Sequence, residues 1–584
     1  MSRYRIGIDV GGTFTDFVVY DRTSAETTTL KVPTTPADPS IGIAEGLDRL
    51  GIALSEVAGI AHGTTTATNA LIERRGAKTA FLTTQGHRDT LEIRRNNRQE
   101  LYDAQWQPPE PLVPRRHRLE VPERLFWDGQ VALELDEDRV RDLCETLRAR
   151  EIEAVAICFL HAYQHPRHEQ RVKELVQEAL PDAFVTVSSE LSQEFREFER
   201  GSTVAANAFV GPRVKQYMTN LRDRMTERGL QGDVAIMQSN GGVCTIDEAA
   251  QFPAKLARSG PAGGAMALER LAELTGIRNL VGIDIGGTSA DVAMIVDGRT
   301  RWASPLQVEW GMPLLFPSVD VVSIGAGGGS IAWIDDGGSL HVVELARELG
   351  MAQAIVPTAP GVLSAWGMLT VDMVQDRSRT VLKRRRAVDN AVLGGTLEEL
   401  RADIAAAFER QGVDPGTVSY EYVLDMQYYG QVFSLPITLE VAASGNGSQP
   451  GPEHLDDATL TAAEDRFHAE HEREYGHSDR SQEVQIVHAR VFGRAVVDKP
   501  EIKPGEMSGP EPATAVTGHR DVRFSGEAVR TAIYDRGRLR PGMELEGPAI
   551  VNELSSTTVL PPGSRGTVDR FQNIVIETQS GSSS

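Results

Sequence analysis

The chain has 584 residues and carries 60 Lys and Arg against 82 Asp and Glu, a formal net charge of −22. That balance argues against nucleic-acid binding, which wants a basic stripe, and the length predicts more than one domain. Three cysteines without C-x-x-C spacing give neither a zinc site nor a disulfide framework, no run approaches a membrane span, and no signal peptide is evident ahead of the opening strand, so a cytoplasmic protein is expected.

The opening strand leads into a motif that occurs twice. Residues 6–20 read IGIDVGGTFTDFVVY, and residues 281–295 read VGIDIGGTSADVAMI. In each copy an apolar strand enters Asp-x-Gly-Gly-Thr and leaves through an acidic residue into a second apolar strand, which predicts a hairpin. The copies lie 275 positions apart, far beyond the roughly 20–50 residues of a solenoid period. They predict two related halves with phosphate held between them. Gly11, Gly12, Gly286 and Gly287 permit positive φ, and without a Cβ they let phosphate approach backbone N–H groups. Thr13 and Thr288 add hydroxyl donors. Asp9 and Asp284 stand at strand ends, where a carboxylate beside phosphate requires an intervening Mg²⁺ or a positioned water. Asp16 and Asp291, farther along, are turn partners or members of the same site.

Beyond the first hairpin, His62-Gly63-Thr64-Thr65, with Thr68 and Asn69, precedes a helix-like run and reads as a substrate or phosphate contact, or as a helix N-cap. Strand-like TAFLTT (79–84) and AVAICFL (154–160) alternate with helical VRDLCETLRAR (140–150) and HEQRVKELVQEAL (168–180), an α/β pattern. Residues 99–125 form an ordered excursion. Arg88, Asp89, Arg94, Arg95 and Arg98 make either an oxyanion site or a solvated basic face. Residues 192–225 read as a helix on which Glu194, Arg196, Glu197, Glu199 and Arg200 pair at i,i+3 and i,i+4. Ser259 to Gly264 reads as a second Gly-rich turn, and Gly325, Gly327, Gly328, Gly329 and Ser330 as a run suited to close approach of phosphate or base. A basic triplet at 384–386 marks a boundary, residues 443–453 a surface loop, and the rest reads as α+β. His471, Glu472, Tyr475 and His477 are read as core or interface, their metal-like spacing being weak.

These segments resemble the hydantoinase A, 5-oxoprolinase and acetone carboxylase β-subunit family. The matching stretches include GIDVGGTFTDFV (7–18), HGTTTATNALIERRGAKTAFLTTQGHRD (62–89), REFERGSTVAANAFVGP (196–212), RSGPAGG (258–264) and GIDIGGTSADVA (282–293). They continue in order with IGAGGGSIAW (324–333), PTAPGVLSAWGM (357–368), HEREYGH (471–477) and GPAIVNELSSTTVLPPG (547–563). The resemblance implies an α/β fold of duplicated actin-like (ribonuclease H-like) ATPase lobes with a C-terminal α+β domain. It further implies that ATP phosphorylates the carbonyl oxygen of a lactam, cyclic imide or ketone, and that a hydantoinase B-like second subunit hydrolyses or carboxylates the activated species. One departure stands out. GGSLHV (337–342) runs directly into VELARELGM (343–351), so that roughly a hundred residues of the family pattern are missing after Val342.

The resulting expectation is an N-terminal lobe over 1–195, a second lobe over 196–385 truncated near 342/343, and a C-terminal domain over 386–584. Asp9 and Asp284 are expected to bind Mg²⁺ and act catalytically with His62. Gly11, Gly12, Thr13, Gly286, Gly287 and Thr288 would cradle the ATP phosphates, with Gly327, Gly328 and Gly329 at the adenosine. Thr64, Thr65, Asn69 and Arg88 would contact a small carbonyl substrate. The expected activity is the ATP-binding part of a hetero-oligomeric hydrolase that opens cyclic amides. The alternatives are a ketone carboxylase subunit and a truncated docking subunit without turnover.

Overall fold

A computed structural model describes residues 2–285, 290–324, 341–441, 451–452, 455–554 and 556–578. The chain starts with strands β1 (Tyr4–Val10), β2 (Phe14–Asp21) and β3 (Thr27–Pro33), helix α1 (Pro39–Leu50), strand β4 (Val57–Thr64) and helix α2 (Thr66–Ile72). The first three strands form an antiparallel meander, and β4 adds to β1 in parallel. Buried residues dominate β1, β2 and β4 because both faces of this sheet are covered.

A second layer follows: β5 (Thr79–Thr84), β6 (Arg118–Val121), α3 (Glu137–Ala149), β7 (Ala154–Cys158), α4 (Arg167–Ala179) and β8 (Phe184–Val187). Its four strands are all parallel, in the order β8-β7-β5-β6. The excursion at 99–125 thus supplies β6. Helix α5 (Glu197–Glu227) runs for 31 residues and lacks a polar stripe over its first half, because it lies between the two sheets. Phe198, Val204 and Ala208 pack on β5 and β7, while Ala206, Val210, Val214 and Met218 pack on the meander. A Cβ on Gly211 would overlap the Phe184 ring, so that crossing needs glycine.

Strands β9 (Asp233–Met237) and β10 (Val243–Thr245) extend the first sheet, and helix α6 (Ser259–Thr275) leads to the second hairpin, β11 (Leu280–Ile285) and β12 (Ala290–Val296). The far edge of β12 is taken by Arg299–Thr300 and by β13 (Val321–Ile324). Among the described strands β11 therefore pairs with β12 alone, whereas its counterpart β1 stands between β2 and β4. The second half repeats the hairpin, and among the described residues no parallel strand stands beside it.

The remaining sheets join segments that lie far apart in the chain. Helix α7 (Val342–Glu348) and strand β14 (Gln353–Val356) pack with the C-terminal strands, not with the second hairpin. After the short helix α8 (Leu363–Met368), strand β15 (Met373–Arg384) joins the first sheet beside β10. Helix α9 (Asn390–Arg410), β16 (Val418–Tyr428), β17 (Leu435–Thr438), α10 (Asp457–Tyr475) and β18 (Val484–Ala495) complete a ten-stranded sheet, β17-β16-β18-β15-β10-β9-β4-β1-β2-β3. The basic triplet at 384–386 lies at the end of a strand of that sheet. The C-terminal strands β19 (Val516–Phe524), β20 (Glu527–Asp535), β21 (Glu544–Glu546), β22 (Ala549–Asn552), β23 (Thr557–Leu560), β24 (Arg565–Val568) and β25 (Ile574–Glu577) form two four-stranded sheets. One of these has β14 at its edge. Most of the loop expected at 443–453 lies outside the described residues.

Helix α8 wedges between α6 and β1. A Cβ on Gly7 would overlap the Ala365 carbonyl oxygen, one on Gly63 the Met368 side chain, and one on Gly367 the Gly263 carbonyl oxygen. Gly367→Ala is therefore expected to lower unfolding free energy by about 1–3 kcal/mol. Gly395→Ala, on a helix face with open space around it, should raise it by about 0.5–1 kcal/mol. Urea unfolding midpoints of the two variants moving in the same direction would refute this reading.

Candidate active site

The two hairpins bring four carboxylates together. Asp9 lies directly opposite Asp16 across β1 and β2, and Asp284 opposite Asp291 across β11 and β12. All four line one cleft of about 1780 Å³, whose walls also carry Gly12, Thr13, Arg258 and Ser364. Burial pushes the Asp9 carboxyl up to about 7, with repulsion from Asp16, Asp284 and Asp291 adding to it. Asp16 is raised to about 6 by burial, against the pull of Lys31 Nζ at 3.4 Å. Asp284 and Asp291 are raised by burial too, opposed at Asp284 by the Ser364 hydroxyl (3.0 Å) and at Asp291 by Ser323 and Arg258. The cleft is short of positive charge.

Asp9 Oδ1 is buried and accepts no hydrogen bond. An unsatisfied carboxylate oxygen facing three other carboxylates fits a divalent cation. Among the described residues no three His, Cys, Asp or Glu side chains converge as a ready-made chelate. That suits Mg²⁺, which takes one or two carboxylates and fills its shell with water and substrate phosphates.

The complementary half of the site is the start of α6. Ser259 to Gly264, expected as a turn, instead forms the first turn of this 17-residue helix. Its end faces the cleft: Gly260 and Pro261 line it, and a Cβ on Gly260 would sit 3.6 Å from Asp9 Oδ1. No side chain caps this end, so its backbone N–H groups and dipole favour an anion there. Three contacts hold it in place. Ser259 Oγ donates to the Thr64 carbonyl (2.8 Å), Arg258 N donates to Thr68 Oγ1 (2.8 Å), and the Arg258 guanidinium donates to the Val321 and Gln307 carbonyls. Arg258 itself sits at φ +65°.

The expected site residues fall into three groups. Asp9, Gly11, Gly12, Thr13, Thr65, Asn69 and Asp284 line the cleft. Gly12 has open space where a Cβ would be, but neither it nor Gly11 adopts positive φ, so the turn needs small residues for access and not for backbone conformation. Asn69 Nδ2 donates to Thr65 Oγ1, which donates to the Val10 carbonyl. His62, Thr64 and Arg88 do not line the cleft. His62 is fully buried, its ring bonded to Tyr217 Oη (2.6 Å) and the Ile8 carbonyl (3.3 Å), and burial pulls it down to about 4. It is a neutral core imidazole. Thr64 Oγ1 is spent on Thr66 Oγ1 (2.8 Å), and Arg88 lies on the loop after β5. Gly286, Gly287, Thr288, Gly327, Gly328 and Gly329 lie outside the described residues.

Other sequence readings change as well. Glu194, Glu199 and Arg200 make no pairs within the helix: Glu194 bonds Arg490 and Ser378, Glu199 bonds Arg95, and Arg200 Nη2 donates to the Phe159 carbonyl. His471 bonds the His477 carbonyl and Gln431 in an aromatic cluster, in keeping with core. Sequence reasoning missed Lys31 and Glu553. Lys31 is recognisable only once β3 pairs with β2, which sets it opposite Asp16. Glu553, in the loop between β22 and β23, lines the cleft and is pushed up to about 7 by burial, against the pull of Arg536.

Comparison with known proteins agrees with this arrangement. The hydantoinase/oxoprolinase N-terminal region matches residues 5–180, hydantoinase/oxoprolinase residues 200–342, and the hydantoinase/oxoprolinase C-terminal domain residues 382–578. An uncharacterised protein of Methanocaldococcus jannaschii is 29% identical over 98% of this chain and 99% of its own. Caprolactamase subunit alpha of Pseudomonas jessenii is 27% identical over 97% of this chain and 98% of its own. These alignments extend over 698 and 700 positions, longer than this chain. The crystal structure of ATP-dependent caprolactamase from Pseudomonas jessenii superposes with a TM-score of 0.87, at 26% identity, over 98% of this chain and 100% of that one. With three consecutive regions matched in order, and the duplicated actin-like hairpins in place, the chain belongs to the hydantoinase/oxoprolinase family.

Proposed function

We propose that this chain is the nucleotide-binding subunit of a two-component, ATP-dependent enzyme that activates the carbonyl oxygen of a cyclic amide for hydrolytic ring opening. The observation that carries the proposal is the cleft itself, where the orphan Asp9 carboxylate and three further carboxylates face the uncapped start of α6. Asp9 and Asp284 would hold Mg²⁺ bound with ATP, and that ion supplies charge neutralisation on the phosphates. The α6 N–H groups and Thr13 would grip phosphate oxygens, and Lys31 would keep Asp16 ionised. In the reaction the γ-phosphorus–oxygen bond to ADP breaks as a bond to the amide oxygen forms. Water then adds to the activated carbon, the C–N bond opens to release the protonated amine and leave an acyl phosphate, and a second water hydrolyses that acyl phosphate to the ring-opened acid and phosphate. A hydantoinase B-like subunit would carry the hydrolysis, and the similarity to a caprolactamase alpha subunit supports a lactam-sized substrate.

Three observations favour a second reading, a docking subunit that does not turn over ATP. Among the described residues the hairpin of the second half has no parallel neighbour, the central family match stops at Val342, and the relatives' alignments outrun this chain. Titration calorimetry with Mg-ATP separates the two: binding supports the enzyme, and absence of binding supports docking alone.

For the enzyme, Asp9→Asn and Asp284→Asn are each expected to lower lactam-dependent ATP hydrolysis, assayed with the second subunit, by at least about 100-fold. Undiminished turnover in either would exclude the assigned roles. Stability should also report on Asp9. Its carboxyl is raised from 3.8 to about 7 in the fold, so the folded chain keeps a proton that the unfolded chain loses. The resulting stabilisation is complete below the ordinary carboxylate range and is lost as pH rises to about 7. Without added metal, Tm should fall from pH 5 to pH 8, and Mg-ADP should restore more of it at pH 8 than at pH 5. Asp9→Asn should flatten the slope; an unchanged slope in that variant would assign it elsewhere.

A further inference from the structure

The parallel sheet β8-β7-β5-β6 contains a feature that the nucleotide cleft does not use. From β5 the chain passes to β6 on one side, and later returns through β7 on the other. The gap between the carboxyl ends of β5 and β7 is thus a topological switch point, where open α/β sheets bind ligands. Two loops border it, Gln85–Asp89 after β5 and Phe159–Pro166 after β7, with the first turn of α5 beneath.

These loops gather basic groups whose donors lack acceptors. Arg200, 1% exposed, donates through Nη2 to the Phe159 carbonyl (2.7 Å) and packs its guanidinium 5.3 Å from the Tyr163 ring. Its Nε and Nη1 are buried with no hydrogen-bond partner, and so is Nδ1 of His161. His161 sits at φ +60°, a strained bend for a non-glycine residue. Arg124 Nη1 contacts His87 Nε2 at 3.2 Å and has no carboxylate partner among the described residues. The His161 and His87 imidazoles are both held down, by burial first and then by Arg124.

The neighbouring carboxylates make their hydrogen bonds to other groups, while Glu169 acts on Arg200, and Glu120 and Glu123 on His87, through space. Glu123 takes the Thr84 hydroxyl and His168 Nδ1, Glu169 takes Phe159 N, Ser188 Oγ and Ser189 N, and Glu120 takes Gly86 N. Glu197 stands exposed on the rim, near enough to favour the charged forms of both imidazoles. Buried donors without acceptors are costly unless something supplies an oxygen.

We propose that this switch point, bounded by His87, Arg124, His161, Tyr163 and Arg200, is a second binding site, for a small oxyanion: a carboxylate or phosphate group. His161 reaches it from the loop after β7, Arg124 from the short strand that follows β6, and Arg200 forms its floor. The proposal stands independently of the reading of the nucleotide cleft.

The test is calorimetric titration of the full chain with acetate and, separately, with inorganic phosphate. The same titrations are run on Arg124→Ala, His161→Ala and, as a cleft control, Arg258→Ala. At least one anion should bind; Arg124→Ala and His161→Ala should each weaken it by about tenfold or more, the loss expected for a charged hydrogen bond. Arg258→Ala should leave its affinity within about twofold. Acetate binding identifies a carboxylate site, and phosphate binding alone identifies a phosphoryl site. Arg124 and His161 are partly exposed, so both variants should fold, which an unchanged Tm checks. If Arg124→Ala alone loses Tm, Arg124→Gln with His161→Ala provides the comparison. The proposal is overturned if neither anion binds, if the pocket variants bind as the parent does, or if Arg258→Ala alone loses binding.

Discussion

The close approach of the helix Leu363–Met368 to glycine backbone sets the spacing on which the cleft depends. Gly7, Gly63 and Gly367 leave no room for a methyl group where the helix meets the sheet and the helix Ser259–Thr275. That contact ties the first hairpin's strand, through the helix backbone, to Ser364, whose hydroxyl holds Asp284. The two hairpins share no β-ladder. What brings Asp284 toward Asp9 is this wedge of packed helix, and a methyl group added at the contact would act on the distance between carboxylates. Packing and chemistry are therefore linked here by a few ångströms of missing side chain.

The electrostatic cost follows from that spacing. Four carboxylates in a partly buried cleft repel one another, and Lys31 and Arg258 are too few to balance them. Such a site gains stability from whatever cation enters it, while the start of the helix Ser259–Thr275 offers the opposite polarity to an anion. A metal–phosphate pair matches both ends at once. The charge pattern thus favours a ligand that carries its own separated charges over a bare cation or a bare anion.

Much of this arrangement was legible in the residues. The two Asp-x-Gly-Gly-Thr copies are local signals: a hairpin follows from apolar strands flanking a small-residue turn, and the register Asp9–Asp16 and Asp284–Asp291 follows from turn length. His62 was not legible, because its neighbours in sequence are the polar Thr64 and Thr65, whereas its neighbours in space are Tyr217 and the Ile8 carbonyl, from elements far away along the chain. The Ser259–Gly264 segment misled for a related reason: glycine suggests a turn, but here close packing on the helix Leu363–Met368 selects it. Sheet membership was least legible. Strand Met373–Arg384 pairs with both Val243–Thr245 and Val484–Ala495, and such non-local pairing leaves no mark in composition.

The strand Leu280–Ile285 has one further consequence. Among the described strands it is an edge, and Val281 and Ile283 are each 38% exposed along it. Both side chains line the cleft, and a strand with one side unpaired among the described strands is a template on which another strand can add. The net charge of −22 works in the other direction, since like-charged molecules repel before their edges meet. Salt screens that repulsion and leaves the edge unchanged. Ionic strength thus sets the balance between the repulsion and the open strand edge.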